Sequence, residues 1–131
     1  MSDLPDYYAG GADIVLRPEW AAVEGTDKNI TAETGAIAPN VNTTVLTYTV
    51  TTGKTLYVQT SLASLNGLAG NVVAYLHDNS VRVCSWGGAQ GPSAHFAKPQ
   101  VFESGHVLTI VVAHYAATDG KLDATVIGYE V

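Results

Sequence analysis

Cysteine is almost missing from this chain of 131 residues, with Cys84 the single example. One thiol excludes the intrachain disulfide framework that small secreted domains lean on. A chain of this length can bury enough surface to hold one domain together without a disulfide or a metal. Cys84 lies in the strand-like run SVRVCSW with no Cys-His motif beside it, which suits a small buried hydrophobe better than a nucleophile.

Charge is scarce too. Asp, Glu, Lys and Arg supply 14% of the residues, against about 25% in an average soluble domain. The six basic residues, Arg17, Lys28, Lys54, Arg82, Lys98 and Lys121, stand singly in a chain of net charge −6. Binding nucleic acid takes a basic patch or stripe, so no nucleic-acid partner is expected. No membrane partner is expected either, since anionic lipid attracts clustered Lys and Arg and no apolar run reaches the ~18 residues of a membrane span. The start, MSDLPDYYAGG, has neither the basic flank nor the apolar stretch of a secretory signal.

Catalytic spacing is likewise thin. His106 and His114 share one run but stand about 27 Å apart at ~3.4 Å per residue, too far to hold one ion. No His-x-His pair with a following Glu occurs, no Gly-x-Ser-x-Gly elbow, and no Gly-Lys-Ser phosphate loop. Glu19 with Glu24, and Asp119 with Asp123, read as solvated turn charges rather than as a glycosidase pair. No cofactor, metal or enzymatic activity is therefore expected.

What is present is β-structure. From Thr43 onward, β-branched and aromatic runs alternate with the turn signals TTGK, HDNS, ESGH and TDGK. In TTVLTYTV, Leu46, Tyr48 and Val50 share a face, and in TLYVQTSL, Leu56, Val58 and Leu62 do, with Tyr57, Gln59 and Ser61 opposite. The TTGK tetrad between these runs reads as a hairpin turn with Gly53 at positive φ. Pro99 has no N–H to donate, which puts FAKPQVF at an edge or a bulge. VLTIVVAHYA, apolar on both faces, belongs at the centre of a sandwich or at an interface.

The candidate strands are Asp13 to Arg17, Thr43 to Thr51, Thr55 to Ala63, Val72 to His77, Val81 to Trp86, Phe96 to Phe102, Val107 to Ala116 and Leu122 to Val131. They predict an all-β, antiparallel two-sheet sandwich, jelly-roll-like rather than immunoglobulin-like, because no Cys, Trp, Cys series is present. Residues 1–42 read as a loop-rich N-terminal arm before a body at residues 43–131, the whole being a single domain. The arm either adds an edge strand to its own domain or crosses to a neighbour, with Tyr7, Tyr8 and Trp20 as its anchors. Between Trp86 and His95 the segment GGAQGPSAH predicts a long exposed loop, with Trp86, Gly87, Gly88, Gln90 and His95 as candidate ligand contacts. Trp86 has two readings there: an aromatic face for a sugar ring, or a core residue alternating with Arg82 and Cys84.

The run GKTLYV at Gly53 to Val58, the glycine turn before the long apolar strand, and the closing ATVIGYEV at Ala124 to Val131 resemble small β-sandwich structural proteins of tailed bacteriophages. In those proteins a loop-rich segment precedes a jelly-roll knob that decorates a capsid or forms a fibre head. The resemblance covers the body and not the arm. It implies a non-enzymatic virion component, made in the host cytoplasm, homo-oligomeric with a trimer favoured, and held by contacts with capsid or other virion proteins. The competing expectation is a carbohydrate or cell-surface receptor module that binds a glycan through the Trp86 to His95 loop.

Overall fold

Strands form because β-branched and aromatic residues alternate with polar ones, and the computed structural model describes the outcome over residues 25–131. In chain order the described strands are β1 (Thr26–Ile37), β2 (Thr43–Thr49), β3 (Leu56–Asn66), β4 (Asn71–Asp78), β5 (Val81–Ala89), β6 (Ser93–Phe102), β7 (Val107–His114) and β8 (Gly120–Glu130). They make two antiparallel sheets of four strands, ordered β1-β8-β3-β6 and β2-β7-β4-β5. The first strand thus pairs with the last, the second with the seventh, the third with the sixth and the fourth with the fifth. That is a chain doubled back on itself at the β4–β5 turn and then rolled up, the jelly-roll arrangement that the sequence predicts.

The rolling corrects one expectation. Gly53 does take a positive φ of 83° in its turn, yet TTGK closes no hairpin, because β2 and β3 lie in different sheets. ESGH and TDGK also carry the chain from one sheet to the other, and only HDNS joins two neighbours, β4 and β5. Turn chemistry reverses the chain; it does not choose the strand that receives the hydrogen bonds. Burial of the apolar faces makes that choice.

Between the sheets lie Leu46, Val50, Leu56, Val58, Leu76, Phe102, Leu108, Ile110 and Leu122, all 0 or 1% exposed. Full burial of each such side chain contributes about 1.5–3 kcal/mol relative to exposure. Bulges adjust which residues join them. The β3–β6 and β3–β8 registers slip at Gln59, and because the side-chain period is two, a one-residue slip swaps the faces beyond it. Ser61 is therefore buried and Leu62 turns outward, the reverse of their simple alternation with Leu56. A second slip, at Val83, leaves Cys84 and Trp86 against the core and turns Arg82 over the Tyr75 ring, 4.1 Å from its centroid. Burial pushes the Cys84 thiol up from its ordinary value, consistent with an inert packing role. Pro99 sits in edge strand β6, in a stretch the β3 register skips, as its missing N–H requires.

Residues expected to belong to a loop-rich arm include the whole of β1. TDKNITAETGAI alternates correctly, with Ile30 and Ala32 half-buried against the core and Asn29, Thr31 and Glu33 outward. Its apolar contrast is too weak to stand out in the sequence; pairing along β8 supplies the ladder that makes it a strand. The expected strand Asp13 to Arg17 and the anchors Tyr7, Tyr8 and Trp20 lie outside the described residues.

Candidate functional site

Inward-facing Leu122, Ala124 and Val126 on β8, with Ala63 and Leu65 on β3, force the residues between them onto the outer face of the β1-β8-β3-β6 sheet. The registers arrange these outer residues in rows across the strands. At one end Asp27, Tyr129, Tyr57 and Val101 stand side by side. The next row is Asn29, Ile127, Thr60 and His95, and the next Thr31, Thr125, Leu62 and Ser93. Glu33, Asp123 and Ser64 follow.

Four residues of the first two rows make an apolar cluster, flanked by Asp27, Asn29, Thr60 and His95. The rings of Tyr57 and Tyr129 stack with centroids 5.1 Å apart, beside Val101 at 50% and Ile127 at 38% exposure. The later rows are polar and enclose a hollow of about 170 Å³ lined by Thr31, Leu62, Ala63, Ser64, Gly91, Asp123, Ala124 and Thr125. Thr31 and Thr125 hydroxyls lie 3.1 Å apart. Asp123 accepts from the Asn66 amide through Oδ2, while its Oδ1 is shielded from solvent and has no partner among the described residues. A buried acceptor left in that state costs about 1–3 kcal/mol. Asp123 is thus no turn charge; it stands mid-strand on β8.

The long loop expected between Trp86 and His95 is much shorter here. β5 runs on to Ala89 and β6 begins at Ser93, so Gly87 and Gly88 pair with Val73 and Val72 inside the sheet. Trp86 packs against the core and donates its indole N–H to the Pro92 carbonyl at 3.2 Å. Gln90 acts as a clamp: its side-chain amide donates to the Leu68 carbonyl at 2.8 Å and its backbone carbonyl accepts from Leu65 N–H at 2.7 Å. His95 is on the outer face, with Thr60 Oγ1 and Ser93 Oγ each 3.2 Å from one of its ring nitrogens. Of the candidate contacts, His95 flanks the hollow; the turn contributes Gly91 to its lining.

Thr31, Ser64 and Thr125 carry no signal of their own in the sequence, and Asp123 only that of a turn charge. They come from three strands and meet only through the pairing order. The other histidines point elsewhere. His106 Nδ1 is 2.8 Å from Asp78 Oδ1 at one end of the sandwich, and His114 is buried at the other. Among the described residues no three His, Cys, Asp or Glu side chains gather where they could share a metal ion.

These features define a class: an all-β jelly-roll sandwich whose outer sheet face carries a small apolar cluster beside rows that are rich in hydroxyls. Comparison with protein-family models and with curated proteins returns no match, so function is argued from this geometry.

Proposed function

We propose that the chain is a non-enzymatic structural protein of a virion, a capsid decoration or fibre-head protein that works by assembling with copies of itself and with capsid or other virion proteins. The observation that carries this reading is the contiguous apolar block of Tyr57, Tyr129, Val101 and Ile127 on a strand surface, where side chains are held rigidly and no loop must be ordered on binding. Contiguous exposed apolar patches commonly mark interaction surfaces.

A further feature supports it. β2, an edge of its sheet, reads TTVLTYT and carries no charge, Pro or Gly, whereas natural edges are usually guarded by such residues. Jelly rolls also build viral capsid domains, an analogy of fold that adds weight without carrying the case.

Light scattering at micromolar concentration tests the reading. The wild type is expected to be an oligomer, with a trimer favoured, and Val101→Lys combined with Ile127→Lys is expected to give a folded monomer. A wild type that stays monomeric and binds no larger shell overturns it.

A further inference from the structure

We propose that Asn66, where β3 ends, is a modification site: it deamidates spontaneously through a succinimide formed with Gly67, and the carboxylate that results opposes Asp123. The inference goes beyond assembly and does not depend on it. Six asparagines occur in the chain, Asn29, Asn40, Asn42, Asn66, Asn71 and Asn79, and ring closure asks the backbone nitrogen of the following residue to reach the side-chain Cγ. Ile30, Val41, Thr43 and Val72 are β-branched and crowd that approach, and Ser80 carries a Cβ as well. Of the six followers, Gly67 alone has no side chain.

The fold widens the difference. Asn66 is exposed, and Gly67 lies just past the last residue of β3, its N–H donating to no described residue. Its φ of 77° is in the left-handed region, where any other residue is strained, so the turn keeps the one residue that leaves the attack open. Asn79 stands in the opposite state. Its Oδ1 accepts from Val107 N–H at 2.7 Å and its own N–H donates to the Val107 carbonyl at 2.9 Å, which ties it to β7.

The chemistry needs only water and hydroxide. The Gly67 nitrogen gives its proton to hydroxide and bonds to Asn66 Cγ, the Cγ–Nδ2 bond breaks, and Nδ2 leaves as ammonia. Water then opens the five-membered ring at either carbonyl, so position 66 becomes aspartate or isoaspartate. In the unmodified fold the Asn66 amide donates to Asp123 Oδ2, while Asp123 Oδ1 has no partner among the described residues. Deamidation replaces that donor with an acceptor and sets two carboxylates together, a repulsive pair. Lys121 stands opposite Asn66 across β3 and β8 and can answer the new charge, but Asp123 still loses its amide donor. Isoaspartate also adds a backbone carbon at the foot of a turn that Gln90 holds at three points, the Leu65 N–H and the Leu68 and Gly70 carbonyls.

The experiment incubates the full chain in warm, mildly alkaline buffer and reads peptide masses after digestion, beside Asn66→Gln, whose longer side chain closes no five-membered ring. The peptide carrying residue 66 is expected to gain the mass of an amide-to-acid exchange, and to yield isoaspartate, an order of magnitude faster than any peptide carrying another asparagine. Asn66→Gln is expected to stay unchanged there. Asn66→Asp, made directly, is expected to melt about 4 °C below wild type, and adding Asp123→Asn to recover most of that loss, because one donor again faces one carboxylate. Faster conversion at Asn79 or any other asparagine, or an Asn66 that converts only after unfolding in urea, overturns the site. An Asn66→Asp chain as stable as wild type, or one that Asp123→Asn does not rescue, overturns the opposition to Asp123. Should Asn66→Asp fail to fold, recovery of the fold by Asp123→Asn decides that second point in its place.

Discussion

The two ends of the sandwich are closed by the same device with opposite chemistry. β8, in the middle of one sheet, finishes on Glu130, and β7, in the middle of the other, finishes on His114; both point inward, 4% and 0% exposed. Each is the last inward position of its strand, where the opposed sheets part and leave backbone and hydroxyl groups without a ladder. At the Glu130 end those groups are donors. The Tyr48 hydroxyl gives 2.5 Å to Oε2, Thr51 N–H gives 3.2 Å to Oε2, the Thr51 hydroxyl gives 2.9 Å to Oε1, and the Lys28 ammonium lies 3.7 Å from Oε1. Only a charged acceptor answers all of them.

At the His114 end the loose groups are one of each kind. Nε2 lies 2.7 Å from the Ile37 carbonyl and must donate; Nδ1 receives Ala116 N–H at 3.2 Å and must accept. Those partners assign the uncharged Nε2–H tautomer. The same residue pins the β1–β2 corner a second time, since its backbone carbonyl accepts from Asn40 N–H at 2.9 Å. The comparison teaches that the polar residue ending a core stripe is selected by the donors and acceptors left at the seam, so one end depends on charge and the other does not.

The largest test of that difference is at the uncharged end. His114→Ala removes a buried ring, orphans a carbonyl and an amide, and leaves a cavity, a loss of about 3 kcal/mol or roughly 10 °C in melting temperature. His114→Phe refills most of the volume and keeps only the hydrogen-bond loss, so it should melt between Ala and wild type. A Phe variant as stable as wild type would show that packing alone closes this end.

Much of the frame was legible in the sequence because alternation and turn residues are local. β4, β7 and β8 fall where the runs Val72 to His77, Val107 to Ala116 and Leu122 to Val131 put them. The rest was hidden for identifiable reasons. Nothing in TLYVQTSL marks Gln59 as a bulge, yet that one slip reverses Ser61 and Leu62. TTGK looks like a hairpin because a crossover between sheets uses the same glycine chemistry. β1 escaped because Ile30 and Ile37 are its only large apolar residues. The hollow was illegible in a stronger sense, for its hydroxyls sit on β1, β3 and β8, brought together by pairings between residues far apart in the chain, such as Thr31 with Thr125.

At the charged end the effect is smaller and depends on pH. Burial opposes the charge on Glu130, but hydrogen bonds from Tyr48 and Thr51, with the Lys28 ammonium, outweigh it and hold the carboxyl below its ordinary value of 4.5. A carboxyl lowered in the folded state contributes stability that is complete above the unfolded value and disappears as pH falls through the folded one. Glu130→Gln should therefore cost about 2 kcal/mol near neutral pH, in line with hydrogen bonds to a charged group. The gap in melting temperature between wild type and Glu130→Gln should close as pH drops below 4.5. A Glu130→Gln gap that is unchanged at low pH would place the stabilisation in packing rather than charge.

The smallest effect separates charge from hydrogen bonding within the same cluster. Lys28 Nζ is 3.7 Å from Glu130 and 5.8 Å from the Tyr48 ring centroid, on a side chain that remains 27% exposed. Water screens such an ion pair, so Lys28→Met, which keeps the stem's packing, should cost under about 0.5 kcal/mol. That loss should vanish near 1 M salt, where the screening length falls to about 3 Å. The Glu130→Gln loss should persist there, because the Tyr48 and Thr51 bonds are short and sheltered. If the two losses fall together with salt, the end is closed by the Lys28 ion pair after all, and the three hydroxyl and amide donors are only spectators to it.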